Sequence, residues 1–145
     1  MLSSDDAAGT DLVWLAADAD GLLAAFVTAG EGPIPATALE SALTEPGLEA
    51  QLLHLPVSSS HQLLTDVPNP TSFIELSQRG LFVFDWTDVH RMLREATHKY
   101  ELVCRPDRPL SVSELPPVLR AVARSVIVDG VAFARHASIS INRAA

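Results

Sequence analysis

The sequence predicts an α+β domain, a mainly antiparallel sheet of about five or six strands with three or four short helices. Three observations carry that expectation. An Asp-Gly turn separates two apolar runs near the start, Asp11–Ala17 and Leu22–Thr28. A run rich in aromatic and β-branched residues, Leu81–Trp86, has the composition of a central strand. Between and after them lie short stretches with helical spacing, cut off by Pro and Gly.

The first element is a hairpin. Asp18-Ala19-Asp20-Gly21 sits between its arms, and a tight two-residue turn there asks for positive φ at both central positions. Both arms are apolar on both faces, so the sheet is expected to be covered on both sides. Gly30-Glu31-Gly32-Pro33-Ile34-Pro35 is a rigid exit that cannot continue a strand. Ala36–Leu43 then reads as a helix burying Leu39, Ala42 and Leu43. Pro46-Gly47 interrupts it, and Leu48–Leu55 is a second helical piece or a strand.

Val57–Pro70, with its serines and prolines, reads as a loop. Ser72-Phe73-Ile74-Glu75 fits a capping box, predicting a short helix that stops at Gly80. After the Leu81–Trp86 strand, Val89, Met92, Leu93 and Ala96 have the spacing of an amphipathic helix, capped by Thr87 or Asp88. His98–Arg105 alternates, which puts Tyr100, Leu102 and Cys104 on one strand face. Ser113 is expected to cap a helix with Pro116 and Pro117 in its first turn and Leu115, Val118, Leu119 and Val122 as its buried stripe. Ser125–Val128 and Val131–Ala134 around Asp129-Gly130 suggest another hairpin, and Ile139 and Ile141 a last strand. Residues 1–10 are expected to be a flexible N-terminus and 11–145 a single domain.

Charge is distributed unevenly. The chain of 145 residues has 10 Lys+Arg and 18 Asp+Glu, a net charge of −8. Residues 1–78 hold eleven acids and no Lys or Arg, whereas the rest holds ten bases and seven acids, a split of −11 and +3. This disfavours a general nucleic-acid binder, which needs surplus cations to neutralise phosphates. No run approaches the ~18 apolar residues of a membrane span, and Met1–Asp6 lacks a signal-peptide pattern, so a cytoplasmic protein is expected. The single cysteine, Cys104, excludes an internal disulfide framework.

The candidate chemistry is sparse. Asp18-Ala19-Asp20-Gly21 opens like a calcium loop, but Leu22–Val27 supply no side-chain oxygen and Ala29 stands where a ligand acid is needed. His54 and His61 are separated by Pro56 and the serines, so no metal site is expected. Cys104 falls in the apolar phase of its strand and is expected to be buried and inert. No nucleophile elbow, dinucleotide fingerprint or P-loop occurs, and no cofactor is expected. Asp85, Asp88 and His90 follow a central strand, where they fit either helix caps or the acid and base of a small enzyme or ligand binder.

The segments Trp14–Gly21 and Ala25–Pro35 resemble small bacterial proteins of unassigned activity that open with the same W-x-A-x-D-x-D-G hairpin and leave it through G-x-G-P-(I/V)-P. Gly80–Asp85 and Tyr100–Pro106 are similar to later segments of that group. Some of its members are thought to be immunity proteins, encoded beside polymorphic toxins delivered by type VI or contact-dependent secretion. The resemblance implies a non-enzymatic antitoxin and no catalytic residue. A basic toxin would meet the acids of the first half, Asp18, Asp20, Glu31, Glu40, Glu45 and Glu49, by electrostatic steering. No nucleic acid or membrane partner is expected, and monomer and homodimer are both left open.

Overall fold

The computed structural model describes residues 12–28, 32–43, 47–65, 67, 69–86, 99–136, 138–139 and 141. Its first element is the expected hairpin, β1 (Val13–Asp18) and β2 (Leu23–Val27), in register from Val13 opposite Val27 to Ala17 opposite Leu23. The turn differs from the expectation. The Gly21 amide donates to the Asp18 carbonyl at 3.0 Å, and only Gly21 in the turn has positive φ, at 83°. That is a three-residue connection, a type I turn closed by a left-handed glycine. Asp18 selects it: its Oδ1 accepts hydrogen bonds from the amides of Asp20 and Leu22 and so folds the turn around the carboxylate.

Every residue of β1 and β2 is buried, which requires cover on two faces. The sheet continues through β3 (His61–Leu63), β4 (Phe82–Trp86), β5 (Tyr100–Pro106), β6 (Ile127–Val128) and β7 (Ser138–Ile139). The strand order is β3-β5-β4-β2-β1-β6, with β7 also paired to β5. The β2/β4 and β1/β6 pairs are parallel and the others antiparallel. Among the described residues the α-helices are α1 (Ala36–Leu43), α2 (Leu48–Leu52), α3 (Thr71–Ser77) and α4 (Pro117–Arg124). The fold is thus α+β with a mainly antiparallel sheet.

One face of the sheet, carrying Val13, Leu15, Ala25 and Val83, packs against Leu52 of α2, Leu76 of α3 and Leu119 of α4. The other carries Trp14, Phe26, Phe82, Phe84 and Tyr100 and is closed by Ala38, Leu39 and Ala42 of α1 together with Phe133. The second core is held by aromatic geometry. Trp14 stacks on Phe26 at 4.1 Å and Phe26 on Phe84 at 5.1 Å, while Tyr100 meets Trp14 edge-on at 5.8 Å. Trp14 Nε1 donates to the Tyr100 hydroxyl at 3.2 Å, and that hydroxyl donates to the Pro33 carbonyl at 2.9 Å. The polar tips of two buried rings are satisfied within the core.

Several local expectations change. The stretch read as a loop, Val57–Pro70, contributes the edge strand β3. Ser72 lies inside α3, whose N-cap is Pro70, so it forms no capping box. Of Leu48–Leu55, residues Leu48–Leu52 form a helix and the last three a turn. A register shift between Val83 and Phe84 leaves Val103 as an extra residue on β5, since Val83 faces Cys104 and Phe84 faces Leu102. That bulge turns Cys104 into the core opposite the one holding Tyr100.

Ahead of α4, Glu114 accepts from the Ser111 amide at 2.8 Å, so the cap belongs to Ser111 and a 3-10 turn over Val112–Glu114 rather than to Ser113. Starting later, α4 buries Leu119 and Ala123 and leaves Val118 69% exposed. No hairpin forms around Asp129-Gly130: β6 pairs instead with β1, and Ala132–His136 folds into a turn. The helix expected over Val89–Ala96 and its caps Thr87 and Asp88 lie outside the described residues.

Two glycines separate conformational need from convenience. Gly80 has φ 93°, and a Cβ there would lie 2.6 Å from Leu110 Cβ and 2.9 Å from its backbone nitrogen. Gly47 has φ −55° and open space around it. Gly80→Ala is expected to lose roughly 2–4 kcal/mol and Gly47→Ala to stay within about 1 kcal/mol of the parent, measured by urea unfolding.

Candidate functional site

The residues expected to meet a partner do not gather into one patch. Asp18 is only 2% exposed. Its Oδ1 accepts from Asp20 N at 2.9 Å and Leu22 N at 3.0 Å, and its Oδ2 from Phe133 N at 2.9 Å. The carboxylate is therefore a structural acceptor and not a contact residue, a correction that follows from the backbone donors the turn and the C-terminal segment would otherwise leave unmet. Asp20 is exposed at the hairpin tip, Glu40 is exposed on α1, and Glu49 is half-buried on α2. Glu31 and Glu45 lie outside the described residues.

The two helices cover opposite faces of the sheet. Glu49 lies beside Val13 and Val27, at the strand ends away from the turn, roughly 16 Å along β1 from Asp20's end. The charge halves are interleaved as well: β4 and β5, from the second half of the chain, sit between β3 and the β1–β2 hairpin.

Three of the seven Lys and Arg among the described residues are half-buried against carbonyls or a ring. Arg79 donates from Nε to the carbonyls of Leu53 and Leu55 at 3.2 and 3.1 Å, and from Nη1 to that of Glu75 at 2.9 Å. Arg120 donates from Nη2 to the Leu115 carbonyl at 3.0 Å, and the Arg105 guanidinium lies 5.3 Å above the Phe82 ring. All three are half-buried. Exposed among the described residues are the acids Asp20, Glu40, Glu101, Asp107, Glu114 and Asp129, with Lys99, Arg108, Arg124 and Arg135 as the exposed Lys and Arg.

A cleft of about 210 Å³ opens at the carboxyl ends of the parallel pair β2/β4, lined by Val13, Val27, Glu49, Asn69, Ser72, Phe73 and Asp85. Open sheets with helical cover commonly take ligands at this place. The alternative site expected from the sequence is thus represented by Asp85, whereas Asp88 and His90 lie outside the described residues. Asn69, Ser72 and Phe73 were not anticipated. Asn69 has φ 52°, a conformation asparagine tolerates better than most residues, so the Asn69-Pro70 pair was the available signal. The lining offers carboxylate, amide and hydroxyl groups beside Val13, Val27 and Phe73.

Cys104 is buried, and its thiol is held above its ordinary value of 9.0 chiefly by burial, offset in part by hydrogen bonding from Ser77 and from the Arg105 and Gln62 backbone. Among the described residues, no group of three or more His, Cys, Asp or Glu side chains is placed to hold a metal ion. No helix there is long and apolar enough to cross a membrane.

Two measurements check these assignments. Asp18→Ala is expected to cost roughly 2–4 kcal/mol of stability by chemical unfolding, because it strands buried amides, while Asp20→Ala stays within about 0.5 kcal/mol. For Cys104 the folded chain holds its proton more tightly than the unfolded chain does. Its contribution is therefore complete below about pH 9 and lost as pH rises through the higher folded value. Cys104→Ala should flatten that part of the alkaline stability curve relative to the parent. Compared with known proteins, no family model, curated protein or solved structure matches the chain, and its function must be argued from geometry and charge.

Proposed function

We propose that this chain is a non-enzymatic binding protein, an immunity protein that neutralises a cognate bacterial toxin by occluding its active site through acidic contacts. One observation carries the proposal. In a chain of net charge −8, the guanidinium groups of Arg79 and Arg120 are spent on backbone carbonyls, while Asp20 and Glu40 stand exposed. A surface of that kind steers a basic protein toward itself and discourages acidic ones. Asp18 drops out of the contact set, leaving Asp20, Glu40 and Glu49, with Glu31 and Glu45 retained from the charge pattern of the sequence. The resemblance of the opening hairpin to immunity-type proteins supports the same reading.

A second reading is a small ligand-binding or enzymatic domain, favoured by the position of Asp85 in the cleft at the end of β4. A cationic probe separates the two. Millimolar 1,4-diaminobutane should shift the amide resonances of Val27, Ser72 and Asp85 selectively if the cleft takes a small ligand, and not if it is only a surface depression.

Co-expression with a secreted toxin, should one be encoded beside this chain, is the decisive experiment. Growth should be restored, and the purified pair should associate at least about tenfold more slowly at 500 mM than at 20 mM ionic strength. Asp20→Lys with Glu40→Lys should slow association by about tenfold while leaving thermal unfolding within a few degrees of the parent. No protection and no complex at low salt would overturn the proposal, and an association rate indifferent to salt would overturn its electrostatic basis.

A further inference from the structure

The chain contains two Asp-Gly pairs, Asp20-Gly21 and Asp129-Gly130. Such a pair carries its own nucleophile and electrophile. Glycine has no Cβ to shield its amide nitrogen, which reaches the carboxyl carbon of the preceding aspartate when the backbone is free to turn. The fold treats the two pairs differently.

Asp20-Gly21 is locked. The Gly21 amide donates to the Asp18 carbonyl at 3.0 Å, and the amides on either side of it, those of Asp20 and Leu22, donate to Asp18 Oδ1 at 2.9 and 3.0 Å. Attack by the Gly21 nitrogen requires that turn to open first. Asp129-Gly130 has no such restraint. Both residues are exposed, in a segment whose pattern suggests a hairpin that the fold does not form. Among the described residues no hydrogen bond holds the Gly130 amide or the Asp129 carboxylate. A Cβ built on Gly130 would meet nothing within 4 Å, so the backbone there has room to move.

We propose that Asp129-Gly130 isomerises to isoaspartate in the folded protein and thereby weakens the hold of Asp18 on the C-terminal segment. The Gly130 nitrogen attacks the Asp129 carboxyl carbon. The N–Cγ bond forms, the C–O bond of the protonated carboxyl breaks, and the hydroxyl leaves as water with the amide proton. Water then opens the cyclic imide. Attack at Cγ restores aspartate, whereas attack at the α carbonyl leaves the main chain running through Cβ. Mass and oxidation state are the same at the end as at the start.

The lengthened link falls in a short loop pinned at both ends to one residue. Val128 of β6 pairs with Asp18 of β1, and the Phe133 amide donates to Asp18 Oδ2 at 2.9 Å. Only residues 129–132 connect these anchors. One extra backbone atom must be absorbed between them, next to the Phe133 ring that closes the aromatic core. The effect falls on stability and not on the acids proposed to meet a toxin, so the inference is independent of that reading.

The test is to age the full chain at neutral pH for several weeks, folded and in concentrated urea. Isoaspartate is then located by an isoaspartyl carboxyl methyltransferase and peptide mapping. In the folded chain position 129 should convert at least about tenfold faster than position 20. In urea the two should agree within about threefold, because the turn that restrains Gly21 is gone. The aged folded chain should unfold roughly 3–6 °C below the fresh one. Asp129→Glu keeps the charge but needs a larger ring for the same attack, so it should stay unmodified there and keep its midpoint. Absence of isoaspartate at position 129, or equal conversion of both pairs in the folded chain, overturns the inference. An isomerised chain with an unchanged midpoint, or an Asp129→Glu chain whose midpoint falls as far as the parent's, overturns the weakened hold on the C-terminal segment.

Discussion

Everything else in this fold answers to one constraint, the burial of the β1–β2 hairpin on both faces at once. Trp14 and Phe26 project to one side and Leu15 and Ala25 to the other, and all are fully buried. A hairpin cannot achieve this alone. It needs a sheet on either flank to satisfy its backbone and a helical layer above and below to exclude water. The parallel pairing of β4 with β2 and of β6 with β1 supplies the flanks. Helix α1 covers the aromatic face, and α2, α3 and α4 cover the aliphatic one. Truncating a ring such as Phe26, in contact with Trp14, Phe84, Tyr100 and Phe133, leaves a cavity that typically costs 3–5 kcal/mol.

Asp18 ties the start of the chain to its end. A buried carboxylate is tolerable only when its acceptor capacity is met, and here both oxygens accept backbone amides, two from the turn and one from Phe133. The same group that shapes the hairpin turn therefore anchors the segment carrying Phe133, whose ring closes the aromatic core. An acid at the tip of a hairpin looks like a surface feature from sequence; its burial is a consequence of a contact 115 positions along the chain.

For function, the consequence lies in where charge is displayed. The −11 and +3 halves of the chain are interleaved by the strand order, so no negative half faces a positive one. What the fold does instead is half-bury two guanidinium groups, seating Arg79 and Arg120 on carbonyl oxygens where helices and turns end. The exposed acids lie on separate elements, Asp20 at the hairpin turn, Glu40 on α1 and Asp107 beside β3, where it accepts from the Ser60 hydroxyl.

Local pattern in the sequence determined the hairpin, the two-sided burial of its strands, the central strand at Phe82–Trp86, α1, and the α+β class, because alternation, helical spacing and Gly or Pro punctuation act over a few residues. It misled where a distant partner decided the outcome. Ser72 had the spacing of a cap but lies within α3, Val118 had the phase of a buried residue but faces solvent, and Cys104 changed faces at a bulge fixed by β4. The candidate site was legible only as single residues, Asp85 and Glu49, since a cleft is made by the meeting of strand ends and helices far apart in the chain. Which of the described acids remain exposed, and the order of the described strands, were settled by tertiary structure alone, because burial and strand order depend on contacts that no local pattern encodes.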